Sequence, residues 1–426
     1  MKITVKNVAK ILEADVALDG VTAIAGYNNM GKSTILKAAY VIFNTFRNSN
    51  SKIIDARKRS VRSYFLKQET YFDENGYDKL PRNVLIDLAN QVNEHLLDFM
   101  STNKNDYKMF KKLFVKSFEV YRWIFLEDTE ADYFFSDKFI IPLYNGFKEI
   151  CLRDKNEDIR YMGDMYILNV FKGQLNSLGV GSQASIHIDS DREKYFISVK
   201  DNKIDDMSYS ANAGGDVFFL PAYNLLDMVG ASVDRRVYSP ENDIRDALLT
   251  IEEEPVFEEY QEIKSNTKAI RNILGEVIHG KLDKLPSGQL SFMDNDLNDY
   301  VSIGNVASGM KNFLIIQSLV EKGRLKRNSI LLIDEPETNL HPEWHLKFAE
   351  LLVLMYQNMG VRSIVNSHSP YFIRALEVKM ADYGMKNKGH YYLMEETGKN
   401  QFKTQDVTES TDRIYELLYR PLEYLS

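Results

Sequence analysis

The chain has 426 residues, 44 % hydrophobic and 27 % charged, with a net charge of −8. That length exceeds what one hydrophobic core usually serves, so more than one lobe is expected, and the acidic balance excludes a protein that coats nucleic acid over its whole surface. No apolar run reaches the roughly 18 residues of a membrane span, the start MKITVKNVAK lacks an apolar signal core, and the single cysteine, Cys151, can form no intrachain disulfide, so the expected compartment is the cytoplasm and no membrane contact is expected.

In chain order, residues 1 to 26 alternate apolar and polar in short runs and read as strands ending at Gly26. From Ser33 onward Ile35, Leu36, Ala39, Ile42 and Phe43 fall on one face of an amphipathic helix. Residues 47 to 184 read as a helical insertion with its own aromatic core, carried by Phe110, Phe114, Phe118, Tyr121, Trp123, Phe125, Tyr133, Phe134 and Phe135. Within it, Lys52, Arg57, Lys58, Arg59 and Arg62 face one acid, Asp55, a run that reads as a solvated helix face. Alternation returns at Ser185 to Ile204 as an antiparallel hairpin, followed by the apolar run from Asp216. Residues 233 to 279 read as a second helical insertion, and Pro286-Ser287-Gly288 as a hairpin turn. The segment 396–426 is expected to be a helical tail, whose Ile414, Leu417, Leu418, Leu422 and Leu425 could form an apolar face for a partner.

The chemistry is concentrated in four strings. Gly26-Tyr-Asn-Asn-Met-Gly31-Lys32-Ser33 matches G-x-x-x-x-G-K-[ST] between a strand and a helix. The glycines let backbone N–H groups approach phosphate oxygens, Lys32 adds a cation, and Ser33 Oγ can ligate Mg²⁺. NSILLIDEPE places Asp334 at the end of a fully apolar strand, where it can hold the magnesium, and Glu335 beside it can activate a water. NVASGMKN puts Ser308 and Gly309 ahead of a helix whose free N–H groups could receive a further phosphate. VRSIVNSHSP delivers His368 at the end of another buried strand, and between these the helix from Pro342 stops at Gly360.

In this order the set resembles the ATP-binding-cassette class of P-loop ATPases, within it the heads of RecF, Rad50 and OLD proteins, and most of all the AAA-family ATP-binding proteins of bacterial defence loci. The resemblance implies an α/β fold: an ABC-type ATPase head with a mixed sheet, an antiparallel β-subdomain and helical insertions. Its core would comprise 1–46, 185–232 and 280–395. It also implies ATP and Mg²⁺ bound between two protomers of a homodimer or higher homo-oligomer. Walker A is then Gly26 to Thr34, with Gly26, Asn28, Asn29, Gly31, Lys32, Ser33 and Thr34 at the nucleotide and Ser33 and Asp334 at the metal. Glu335 and His368 are the catalytic base and switch histidine, Ser308 and Gly309 the signature acting in trans, and Asn339 and His341 the D-loop. The chain departs from the pattern in three places: Lys311 ends the signature, Asn224 is the nearest counterpart of the Q-loop glutamine, and no aromatic precedes Walker A to stack on adenine.

No appended nuclease domain is legible. The D-x-D strings at Asp189 to Asp191 and Asp294 to Asp296 read as turns, and Glu262-Ile-Lys264 has no strand-borne aspartate beside it. The function expected from the resemblance is therefore an ATPase subunit, like those of the Septu and PARIS systems, that controls a separate effector protein in anti-phage defence. The alternative is a RecF- or SMC-like DNA-repair ATPase, with nucleic acid as a possible partner. A transporter's nucleotide-binding subunit is opposed by the long insertion after Walker A and by DEPETNLHP.

Overall fold

Alternation of apolar and polar residues builds the first hairpin. β1 (Lys2–Val8) and β2 (Ile11–Ala17) bury Ile3, Val5, Val8, Ile11, Ala14 and Val16, and pair antiparallel with Val8 opposite Ile11. The computed structural model describes residues 1–67, 86, 90, 106–124, 128–176, 183–210, 214–229, 238–249, 257–286, 289–398 and 400–423. The remaining strands are β3 (Val21–Ala25), β4 (Ala184–Asp189), β5 (Lys194–Lys200), β6 (Lys203–Ser210), β7 (Val217–Leu220), β8 (Gly280–Lys284), β9 (Leu290–Asp294), β10 (Asp299–Ser302), β11 (Ile330–Asp334), β12 (Arg362–Ser367), β13 (Gly389–Gly398) and β14 (Gln401–Asp406). Among the described residues, eleven of them form one mixed sheet in the order β6-β5-β4-β1-β2-β14-β13-β3-β12-β11-β7, and β10-β9-β8 form a small antiparallel sheet. The α/β class, with a mixed sheet, an antiparallel part and helical additions, is as expected.

The sheet has two characters. From β6 to β2 neighbouring strands are antiparallel, whereas β13, β3, β12, β11 and β7 run parallel. Every residue of β3 and β11 is buried, as strands covered on both faces require. The register sets the strand ends level: Ala25 lies opposite Ser367, and Asn366 opposite Asp334. Whatever follows β3, β12 and β11 therefore emerges on one edge of the sheet.

The chain divides into two units, Met1–Asn48 with Arg160–Ser426, and Ser49–Ile159. The second is helical and has a core of Val61, Phe65, Phe110, Phe114, Phe118, Phe134, Phe139, Leu143 and Phe147. Phe110, Phe114 and Phe118 are fully buried, so these rings are packing and not a stacking platform. The side chains of Tyr121, Trp123 and Phe125 lie outside the described residues. Arg57 is drawn out of the basic run: its guanidinium donates to Asp158 Oδ2 at 2.9 Å and to the Cys151 carbonyl at 2.8 Å.

Three boundaries differ from the sequence reading. The unit ends at Ile159, short of 184, because Tyr166 belongs to the other core: its ring meets Tyr40 edge-on at 5.6 Å and its hydroxyl donates to Asp243 at 3.2 Å. Residues 233–279 are no separate insertion where described. Helices Pro240–Leu249 and Phe257–Gly275 put Ile244, Ala247, Leu248, Ile270 and Leu274 into the same cluster as Phe313 and Leu331. The segment 396–426 is not wholly a helical tail. β14 is a strand of the main sheet, antiparallel to β13 and parallel to β2, and among the described residues of the segment only Asp412–Glu423 is helical. Of its expected partner-facing residues, Ile414 is fully buried and Leu417 and Leu418 pack on the main core, while the side chains of Leu422 and Leu425 lie outside the described residues. Ser287 and Gly288 also lie outside them; β8 and β9, on either side, pair as a hairpin.

Candidate functional site

β3 ends at Ala25, and the chain turns through Gly26 to enter helix Lys32–Phe46. Gly31 caps that helix at φ 89°, a left-handed conformation that glycine adopts freely, and a Cβ there would come within 2.6 Å of Ile11 Cδ1. Asn29 is left-handed as well, at φ 67°, and its Oδ1 accepts a bond from Lys10 Nζ at 2.6 Å. Asn28 is exposed, while Ser33 and Thr34 are half-buried in the first helical turn. Lys32 Nζ donates to the carbonyls of Gly26 at 2.8 Å and Tyr27 at 2.9 Å, closing the loop around its own ammonium. Burial pushes the Lys32 ammonium below the ordinary lysine range, and the carboxylates of Glu335, Asp334 and Glu337 oppose that shift.

Those carboxylates come from β11. Asp334 is buried at its end, and its Oδ1 accepts from Asn366 Nδ2 of β12 at 3.0 Å. Glu335 takes φ 51°, an uncommon conformation for a residue with a Cβ, and its N–H donates to the Asn366 carbonyl at 3.0 Å. Just past β12, His368 places Nδ1 3.4 Å from Glu335 Oε1 and 3.6 Å from Glu337 Oε1. Lys32, Asp334, Glu335 and His368 are thus gathered at the ends of three consecutive strands. Asn224 lies four residues beyond β7, the next strand along.

The expected trans elements form a second group. Helix Ser308–Glu321 begins at Ser308 behind Ala307, whose side chain cannot cap it. Gly309 lies against the turn after β11, where a Cβ would come within 2.4 Å of the Asn339 carbonyl oxygen, so only glycine fits. Asn339 is exposed at φ 65°, and His341 caps helix Pro342–Met359 by accepting from the Glu343 N–H at 3.3 Å. That helix stops at Gly360, φ 67°.

The profile of the AAA ATPase domain family matches residues 1–373, a span that contains all of these groups. The chain belongs to that family. Among solved structures it is similar to a SmcHead bound to the C-winged helix domain of ScpA, over 97 % of this chain and 98 % of that one, at 12 % identity and a TM-score of 0.44. It is also similar to the SMC head domain from Thermotoga maritima, over 95 % and 98 %, at 12 % identity and a TM-score of 0.36. No curated protein matches it. Among the described residues no helix is long and apolar enough to cross a membrane.

In this AAA ATPase domain, Ser33 Oγ and Asp334 supply hard oxygen donors of the kind Mg²⁺ takes alongside phosphate oxygens and water. Asp334 Oδ1 is engaged by Asn366, which orients the carboxylate. Lys311, the departure in the signature string, is structural: it is 3 % exposed and pairs with Asp227 Oδ1 at 2.6 Å. The D-x-D strings are turns of the same domain. Asp294 Oδ1 accepts from the N–H groups of Asp296 and Leu297 at 2.9 and 3.0 Å, and Asp189 pairs with Lys194. Sequence reasoning missed Lys10, Asn366 and Glu337. The only signal for Glu337 was a second carboxylate two places after Glu335 in DEPE; Lys10 and Asn366 gave none, since their partners are far away in sequence.

Proposed function

We propose that this ATPase domain binds Mg-ATP on the Gly26–Thr34 loop and hydrolyses it as a homodimer or higher homo-oligomer, in which Ser308 and Gly309 of one copy meet the nucleotide held by the other. Lys32 binds the terminal phosphates, Glu335 orients and deprotonates the attacking water, and His368 contacts the γ-phosphate beside it. Magnesium, held by Ser33 and Asp334, would neutralise developing phosphate charge. The observation that carries this reading is the gathering of Lys32, Asp334, Glu335 and His368 at one edge of the sheet, with His368 Nδ1 3.4 Å from Glu335 Oε1.

The domain's output is control of a separate effector protein in bacterial anti-phage defence. Supporting this, of the acidic strings that could have formed a nuclease site, Asp294 caps a turn and Asp189, at the end of β4, makes an exposed ion pair with Lys194. The test has two arms. Light scattering of Glu335→Gln should show a larger assembly with Mg-ATP than without it, and Ser308→Arg, which puts bulk where the second copy's phosphates would sit, should prevent that assembly. Expressed alone the protein should be harmless, with growth arrest or phage protection appearing only when the neighbouring gene product is coexpressed. Protection by this chain alone would refute the separate effector, and ATP turnover that rises only with DNA would favour a DNA-repair ATPase.

A further inference from the structure

Glu337 has no part in the chemistry above, yet it is the most deeply engaged carboxylate at the site. Its side chain is 5 % exposed, and Oε1 accepts three hydrogen bonds: from Ser367 Oγ at 2.6 Å, the His368 N–H at 3.1 Å and the Ser369 N–H at 3.2 Å. Oε2 is buried too and has no hydrogen-bond partner among the described residues. Burying a carboxyl group this way costs free energy that the bonds must offset, and burial pushes its pKa up against the opposing Ser367 bond. Helix capping does not account for the expense, because Ser369 already caps helix Pro370–Asp382 by accepting from the Phe372 N–H at 3.2 Å.

All three bonds land on the turn that carries His368. From the other side, the Glu337 carbonyl accepts from the Leu340 N–H at 3.1 Å, within the turn that follows β11. One residue thus fastens the turn bearing Glu335 to the turn bearing His368. We propose that Glu337 is the positioning residue of the catalytic histidine: it clamps the backbone N–H groups of His368 and Ser369 and the hydroxyl of Ser367, so that His368 keeps Nδ1 beside Glu335 and leaves Nε2 for the nucleotide. This inference rests on the ATPase reading given above.

The test is a double-mutant cycle in steady-state phosphate release, using Glu337→Ala, Glu337→Gln, His368→Ala and the Glu337→Ala/His368→Ala pair, with Lys32→Ala as control. Glu337→Ala should lower kcat about ten- to a hundred-fold, the scale of a misplaced catalytic group, with KM for ATP within about twofold. Glu337→Gln keeps an amide oxygen for the three donors and should recover most of the rate. The double variant should be no slower than His368→Ala alone, because a group that acts only through His368 has nothing left to position. Losses that multiply in the double variant, an unchanged kcat in Glu337→Ala, or a glutamine as damaging as alanine would each overturn the proposal. Should Glu337→Ala fail to fold, Ser367→Ala takes its place. Removing one of the three bonds should slow turnover about fivefold, and that loss should vanish in the His368→Ala background. Turnover that Lys32→Ala abolishes but His368→Ala leaves intact defeats this inference and the role given to His368 while leaving ATP hydrolysis on the Gly26–Thr34 loop standing, whereas turnover indifferent to Lys32→Ala defeats the ATPase reading.

Discussion

Lys32 shows how the site is arranged before any ligand arrives. Its ammonium is buried, held by two carbonyls of its own loop and acted on by three carboxylates, so a bound phosphate exchanges those carbonyls for anionic oxygens without the lysine's own charge having to move in from solvent. Nucleotide should therefore stabilise the protein through this side chain. At a hundredfold excess over Kd, Mg-ATP should add about 2.7 kcal/mol, read as a rise in Tm, and Lys32→Ala should show no such rise. An equal rise in the variant would move the phosphates elsewhere. Lys32, Asp334 and Glu335 were legible because each sits at a fixed place in a short string whose glycines or apolar strand declare the local backbone. Glu337 and Asn366 were not, since their meaning lies in bonds to partners about thirty residues away that sequence spacing does not encode. Lys311 misled in the opposite sense. In the string it reads as a misfit signature residue, and only its burial against Asp227 shows that it is a packing choice.

Among the elements, those with a strong period were readable and those with a mixed one were not. β3 and β11 are unbroken apolar runs, and helix Lys32–Phe46 carries a clear apolar face. β14 reads QFKTQD, with Phe402 its only buried residue; β13 beside it forms a local hairpin, but its other neighbour, β2, lies almost four hundred residues earlier, so its place in the main sheet is not encoded locally. The boundary at Ile159 is hidden for a related reason: helix Lys155–Phe171 runs through it without a break, and only tertiary contacts assign its second half. The aromatic composition predicted a helical core within residues 47–184, the structure has one within Ser49–Ile159, and that core makes a quantitative claim. Phe114 is fully buried and its ring lies 4.6 Å from Phe118 and 5.3 Å from Phe134. Phe114→Ala should cost about 3–5 kcal/mol of stability in chemical denaturation, and a loss below about 1 kcal/mol would mean that the ring is not in a packed core.

For the whole molecule, membership of the AAA ATPase domain family and the convergence of β3, β12 and β11 on one edge lead to a single central claim: this chain turns over ATP with Glu335 as its base. Glu335 takes a left-handed backbone that most residues avoid, and in that conformation its carboxylate lies beside His368. The most direct measurement is phosphate release from Mg-ATP by the wild-type chain and by Glu335→Gln, at matched nucleotide occupancy established by equilibrium binding. Loss of the base should slow turnover at least about a hundredfold while nucleotide still binds. A Glu335→Gln protein that binds ATP and hydrolyses it at the wild-type rate would contradict the account.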